Sequence, residues 1–252
     1  MAFYDYLRNG EASSVTLIGK KIVKYQNIYF TRLIRQFSVS EKIDLLEIGP
    51  GQGFFAEACA ENQIQYTGIE ANALMAEDLR KRGFNVYSHR VPPIRIEKTY
   101  GVIFMNQVFE HVRNRDEALA LLDSCKNHLK DHGLLIIASP DFLRWKEDFY
   151  HDYTHDYPTT LTRFSQMFFD YGLKIIYRNW YSFFVRGFFL TGLVAFLSRI
   201  CYRTGIFKLL FSEKAYKVHC SLLPSLIILG LKEEMYEFGN HNSSEALYIV
   251  GD

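Results

Sequence analysis

The sequence predicts a doubly wound α/β fold around a mostly parallel, seven-stranded sheet with an antiparallel edge strand. Two observations carry this prediction. Apolar runs of strand length alternate with segments of helical period from residue 42 to residue 139, and such alternation requires crossover connections and a sheet covered on both faces. The first apolar run ends in an acid and then in glycines at alternate positions, "LLEIGPGQGFF". That is a strand-to-helix turn in which the backbone can approach a ligand with no Cβ in the way. A chain of 252 residues, 48% hydrophobic and 23% charged, is long enough to bury such a sheet.

The elements follow in order. "IVKYQNIYFTRLIRQF", residues 22–37, has apolar positions at helical spacing and forms an N-terminal helix; residues 1–40 are read as a helical extension. "KIDLLEIG" is the first strand, and Gly53 opens a helix reaching Glu61. "QYTGIE" is the second strand, followed by the helix "NALMAEDLRKRG" closed by Gly83. "FNVYSH" is a weak third strand and "YGVIFMNQ" a strong fourth. "RDEALALLDSCKNHLKDHG" reads as a helix capped by Gly133, and "LLIIAS" as the fifth strand. Then come the helix "TLTRFSQMFFDYG" and the strand "LKIIYRNWY", which close a core spanning residues 41–181. Residues 182–240 are read as an apolar and basic insertion, within which "PSLIILGLKE" is assigned to helix rather than strand. "EALYIVGD", in residues 241–252, is expected to return antiparallel at the sheet edge.

Composition excludes several classes. A net charge of +1 gives no footprint for nucleic acid. Cys59, Cys125, Cys201 and Cys220 lack paired spacing, which argues against a zinc site or a disulfide framework. The first residues, "MAFYDYLRNGEASS", lack the pattern of a signal peptide, so a reducing cytoplasmic setting is expected.

In open parallel sheets ligands sit beyond the carboxyl ends of the strands. Gly49, Gly51 and Gly53 stand there, and Glu70 at the tip of the second strand can accept ribose hydroxyls. The dinucleotide fingerprint needs a third glycine or alanine five positions after the first. Phe54 occupies that position, which puts NAD second.

"LLEIGPGQG", "YTGIE", "YGVIFMNQVFEHV" and "LKDHGLLIIASPD" together resemble the successive motifs of class I S-adenosylmethionine-dependent methyltransferases, over residues 43–180. The resemblance is closest to the group that includes ubiquinone-type and polysaccharide-modifying enzymes. It implies a Rossmann-like core that binds S-adenosylmethionine. By that resemblance Glu47 and the loop residues Gly49, Pro50, Gly51, Gly53 and Phe54 hold the methionine part, Glu70 with Ala71 holds the ribose, and Asn106 and Gln107 line the sulfonium side. "YSHRVPP", with Ser88 and His89, departs from the family, which often has an acid there to meet the adenine amino group.

Methylation of a hydroxyl needs an in-line approach and removal of a proton. His111 in "FEHV" is read first as a structural part of its turn and second as catalytic. "YHDYTHDYP" places His151 and His155 four apart beside Asp152 and Asp156. His155 is the preferred base, His151 the next, and Asp156 a capping residue; a metal held by these four residues is the least favoured reading, and no metal is expected.

Residues 174–217 hold eight Lys or Arg against one acid, Glu213, and include "FFVRGFFLTGLVAFLSRICY". The uncharged run 187–198 is too short to span a bilayer. A lid over the acceptor, a helix lying on an anionic membrane surface, and a homodimer face all fit this pattern. The function expected is O-methylation of a small or lipid-linked acceptor, first a sugar of a bacterial surface polysaccharide or its precursor, then a quinone or natural-product hydroxyl. An NAD-binding oxidoreductase and a non-catalytic scaffold that binds S-adenosylmethionine are the rivals from other classes.

Overall fold

The structure is a computed structural model and describes residues 17–182 and 185–233. Its elements are α1 (Leu17–Phe37), β1 (Asp44–Ile48), α2 (Phe54–Glu61), β2 (Gln65–Glu70), α3 (Ala73–Lys81), β3 (Val86–Ser88), β4 (Tyr100–Asn106), α4 (Arg115–His128) and β5 (Leu129–Pro140). The second half holds α5 (Phe142–Trp145), α6 (Leu161–Asp170), β6 (Leu173–Ser182), β7 (Val185–Arg186), α7 (Phe188–Arg203), α8 (Ile206–Phe211), α9 (Ala215–Ser221) and β8 (Ser225–Lys232).

All eight strands form one sheet in the order β3-β2-β1-β4-β5-β8-β6-β7. β1 to β5 are parallel. β8 runs antiparallel to both of its neighbours, β5 and β6, and the two-residue β7 is an antiparallel edge. The doubly wound, mostly parallel class is therefore present, with eight strands where seven are expected.

The sheet's alternating side chains feed two layers. On one face Leu45, Phe104 and Ile136 pack against Phe30 and Ile34 of α1 and Phe55 of α2. On the other, Leu46, Ile103 and Ile137 meet Leu121 and Leu122 of α4 and Phe164 and Phe168 of α6. Each such side chain, fully removed from water, contributes about 1.5–3 kcal/mol.

Local signals set the helix ends. Asn72 caps α3 by accepting from Leu74 and Met75 N–H. Gly83, at φ 90°, ends it with Gly83 N–H to Arg80 O and Phe84 N–H to Leu79 O, the paired bonds of a left-handed C-cap.

Three expectations are corrected. "PSLIILGLKE" is not a helix but β8, because its run of apolar residues is buried on both faces between two strands. A short apolar run of this kind has no period that separates helix from strand. It is also the returning strand, and it lies inside the sheet; "EALYIVGD", expected to fill that role, lies outside the described residues. Finally, α4 stops at His128 rather than at Gly133: Leu129 is already paired with Tyr100, and the turn before the next strand pairs is made by His132 at φ 58°.

Gly230 of β8 faces Phe168, whose ring carbon would lie 2.6 Å from an added Cβ. Gly230→Val should therefore destabilise the fold by about 1–3 kcal/mol through overpacking. Urea unfolding measures this, and an unchanged midpoint would mean that β8 does not sit under α6.

Candidate active site

The site lies at the carboxyl edge of β1, β2, β4 and β5. After β1 the chain turns through Gly49, Gly51 and Gly53 at φ 74°, 53° and 78°. The three glycines differ in their reasons. A Cβ on Gly49 would meet Val108 at 2.5 Å and one on Gly53 would meet Leu79 at 2.3 Å, so packing excludes side chains there. A Cβ on Gly51 would meet nothing within 4 Å, so this part of the loop borders open space. Pro50 is buried behind the loop, and its carbonyl accepts from Gly53 N–H at 2.8 Å. Phe54 opens α2, and its carbonyl accepts from the Asn27 amide at 2.8 Å.

Glu70 fixes the loop from the next strand. Its carboxylate accepts from Gly51 N–H at 3.0 Å and from Asn72 N–H at 2.9 Å, across the exposed Ala71. Glu47 sits on β1, which is buried along its whole length, and accepts from the Tyr66 hydroxyl at 2.7 Å. Burial pushes the Glu47 carboxyl up to about 8, against the Tyr66 hydrogen bond and with the help of the Glu70 charge. Two acids thus serve this edge in different forms: Glu70 bonds the backbone of the loop, and Glu47 favours its protonated form.

β4 ends in Asn106 and Gln107. Gln107 has φ 57°, a backbone strain of the kind stored at functional sites. Its amide donates to Ser225 Oγ at 3.3 Å, and Asn106 Oδ1 accepts from the buried Tyr181 hydroxyl at 3.2 Å. Asn106, Gln107, Trp145, Tyr181 and Ser225 line a cavity of about 260 Å³. Its lining includes amide and hydroxyl groups together with the Cys220 thiol and the Trp145 indole.

A one-turn helix, Phe109–His111, follows β4. Glu110 is fully buried there; Ser139 Oγ donates to its Oε2 at 2.9 Å, and its Oε1 has no hydrogen-bond partner among the described residues. Burial raises this carboxyl to about 7, partly offset by the nearby His111. His155 is buried, with its ring centre 4.9 Å from that of His111.

The expected histidines are therefore not equivalent. The fold brings His111 and His155 together and leaves His151 outside, exposed and against Tyr216, 3.9 Å from Asp148 Oδ1. Asp152 fixes the loop instead, accepting from Thr154 N–H and hydroxyl at 3.0 and 2.6 Å. His89 lies apart on an exposed loop, where its Nε2 accepts from Arg95 N–H at 3.3 Å.

Glu110, Trp145, Tyr181 and Ser225 belong to the site yet are not singled out by the sequence. Glu110 could have been found as the acid next to His111. Nothing local marks the other three, which arrive from distant segments.

α7, α8 and α9 form a cap next to this edge. A buried chain of contacts ties it down: Ser198 Oγ to His219 Nδ1 at 2.7 Å, and His219 Nε2 to Asp148 Oδ2 at 3.2 Å. Arg144 lies over the rings of both Trp180 and Phe188, and with Asp141, Leu143 and Phe189 they line an open groove of about 490 Å³. Outward, the cap exposes Phe189, Leu193, Phe196, Leu209 and Leu210.

Comparisons with known proteins agree with this geometry. Residues 23–178 match a family model described as a methyltransferase domain. No curated protein matches the sequence. Among solved structures, an S-adenosylmethionine-dependent methyltransferase from Archaeoglobus fulgidus is 20% identical, with TM-score 0.56 over 83% of this chain and 94% of its own. The N-methyltransferase NodS from Bradyrhizobium japonicum, bound to S-adenosyl-L-homocysteine, is 13% identical, with TM-score 0.55 over 83% and 88%. A protein from Galdieria sulphuraria provisionally described as a sarcosine dimethylglycine methyltransferase is 13% identical, with TM-score 0.60 over 84% and 85%. These likenesses are of fold.

Glu47 gives a pH signature. Unfolded, it titrates at about 4.3; folded, at about 8. The folded state holds the extra proton between those values, so stability falls as pH rises through that window. Glu47→Gln keeps an acceptor for Tyr66 and removes the proton. Its urea midpoint should fall less between pH 6 and 8 than that of the natural protein, and parallel trends would show Glu47 ionised in the fold.

Proposed function

We propose that this chain, which belongs to the methyltransferase-domain family, transfers a methyl group from S-adenosylmethionine to an oxygen of a small or lipid-linked acceptor. A sugar of a bacterial surface polysaccharide or its precursor is the first candidate. The observation that carries the cofactor is Glu70, bonded to the backbone of a glycine loop whose residues 49–55 include no basic side chain. Such a loop repels a pyrophosphate and suits a ligand with positive groups and hydroxyls. Arg82, on the loop's other side, is engaged by Glu57 at 2.6 Å and by Gln52 O at 2.7 Å. The space around Gly51 fits a ligand lying against bare backbone.

When bound, the cofactor supplies a methyl group on a positively charged sulfur. The residues do the rest by placement. Glu70 uses part of its accepting capacity on Gly51 and Asn72 N–H and keeps the remainder for ribose hydroxyls. Asn106 and Gln107 line the 260 Å³ cavity, which takes the acceptor. The amide and hydroxyl lining supports a hydroxyl-rich acceptor. Glu110 and His155, both buried, and the half-buried His111 are the polar groups assigned to handle the acceptor's hydroxyl. A quinone or natural-product hydroxyl is the second reading, favoured by the aromatic groove at Trp180, Phe188 and Phe189.

The cap supports a lipid-linked acceptor at an anionic membrane surface. The segment that carries its exposed Phe and Leu side chains also carries Arg203, which pairs with Glu147 at 3.2 Å, and Lys208, Lys214 and Lys217. Among the described residues no helix is long and apolar enough to cross a membrane, and an amphipathic cap of this kind lies on the surface instead.

Calorimetry should show S-adenosylmethionine or its demethylated product binding in preference to NAD. Gly51→Val should abolish that binding, since a branched side chain would fill the open space. Glu70→Ala should weaken it by about 1–3 kcal/mol. Binding of NAD alone would end this reading.

Flotation tests the cap. Anionic vesicles should recruit the protein, and added salt should release it, because basic groups near the surface each contribute about 1 kcal/mol and are screened over about 8–10 Å. Absence from both anionic and neutral vesicles would make the cap a homodimer face or a lid, and the acceptor soluble.

A further inference from the structure

We propose that Glu110, His111 and His155 form a binding site for one divalent transition-metal ion. The argument rests on donor chemistry and geometry. One atom from each side chain, a carboxylate oxygen and two imidazole nitrogens, lies within 4.8 Å of the other two. The three come from two segments 44 residues apart, the turn after β4 and the loop before α6, so no local motif requires them to meet.

The imidazoles are set for ligation. His155 Nδ1 lies 2.7 Å from Phe149 O, and His111 Nδ1 lies 3.0 Å from Thr154 O. A carbonyl only accepts, so both Nδ1 atoms carry the proton and both Nε2 atoms present a lone pair. Thr154 Oγ1, also 3.0 Å from His111 Nδ1, is itself a donor to Asp152 and so accepts there too. Imidazole held through one nitrogen by a backbone carbonyl, with the other free, is the outer-shell arrangement of metal-binding histidines.

The carboxylate supplies the independent observation. Glu110 is fully buried, and its Oε1 has no hydrogen-bond partner among the described residues. A buried carboxylate oxygen without a partner is costly. A cation held by the three side chains would remove that cost. Asp152 Oδ2, 3.9 Å from His155 Nε2, adds a second negative charge beside the site. Two imidazoles and one carboxylate favour zinc, iron or cobalt over magnesium or calcium, and they leave coordination positions open. The indole of Trp145, which lines the acceptor cavity, is 6.4 Å from the His155 ring. Open positions on that side would hold acceptor oxygens, a role that rests on the methyltransferase reading; the binding site itself does not.

The test uses untagged, chelator-treated protein without cofactor or acceptor, so its outcome is separate from that of the cofactor titration. One equivalent of Co²⁺ should give visible d–d absorption and raise the melting temperature, and Zn²⁺ should displace it while Mg²⁺ should not. His111→Ala and His155→Ala should abolish the band. Glu110→Gln, which preserves shape, should weaken Co²⁺ binding at least tenfold. His151→Ala should leave the band intact. No band at stoichiometric Co²⁺ in the unaltered protein would overturn the proposal. So would a band that survives in the folded Glu110→Gln and His155→Ala variants, or one lost in His151→Ala.

Discussion

The ligand edge of the sheet depends on one carboxylate. Glu70 accepts from the backbone of the loop after β1 and from the backbone that starts α3. Those bonds hold a loop in which three glycines adopt left-handed φ and which has little side-chain packing of its own around Gly51. Glu47 stands behind it, buried and carrying a proton that its surroundings favour. The charge pattern that orders this edge also selects what can bind there. The acid that the fold needs for its own loop also stands at the carboxyl edge of the sheet.

Most of this edge is legible in the sequence because it is local. The run 45–55 contains strand, turn and helix start in order, and Glu70 follows at the tip of the next strand. The existence of β1 to β5 and their parallel pairing follow from alternation alone. The remainder is not local. β8 reads as an apolar run without period, and its place between β5 and β6 is decided only by pairing on both sides. Tyr181 and Ser225 look ordinary in the sequence and become site residues through their neighbours. Glu110 and His155 are readable as residue types, but their meeting depends on how the loop after β5 folds back.

The cap and the histidine loop form one mechanical unit. Asp148 accepts from His219 of α9, and Phe149, its neighbour in sequence, supplies the carbonyl that orients His155. Arg199 of α7 reaches the carbonyls of Arg144 and Trp145 at the start of the same loop. Whatever seats the outer face of α7 and α8 therefore bears on the orientation of His155. The cap and the loop that carries His155 share a support.

The position of β8 has a consequence for how the protein is made. β6 pairs with β8 and the two-residue β7, and β8 is the strand that links β6 to β5. While the ribosome is still synthesising the cap, β5 has an unpaired edge and β6 has no place in the sheet. The nascent chain must carry that exposed edge, and the aggregation hazard that goes with it, until residue 232 has emerged. The cavity wall formed by Tyr181 and Ser225 is then among the last parts to assemble.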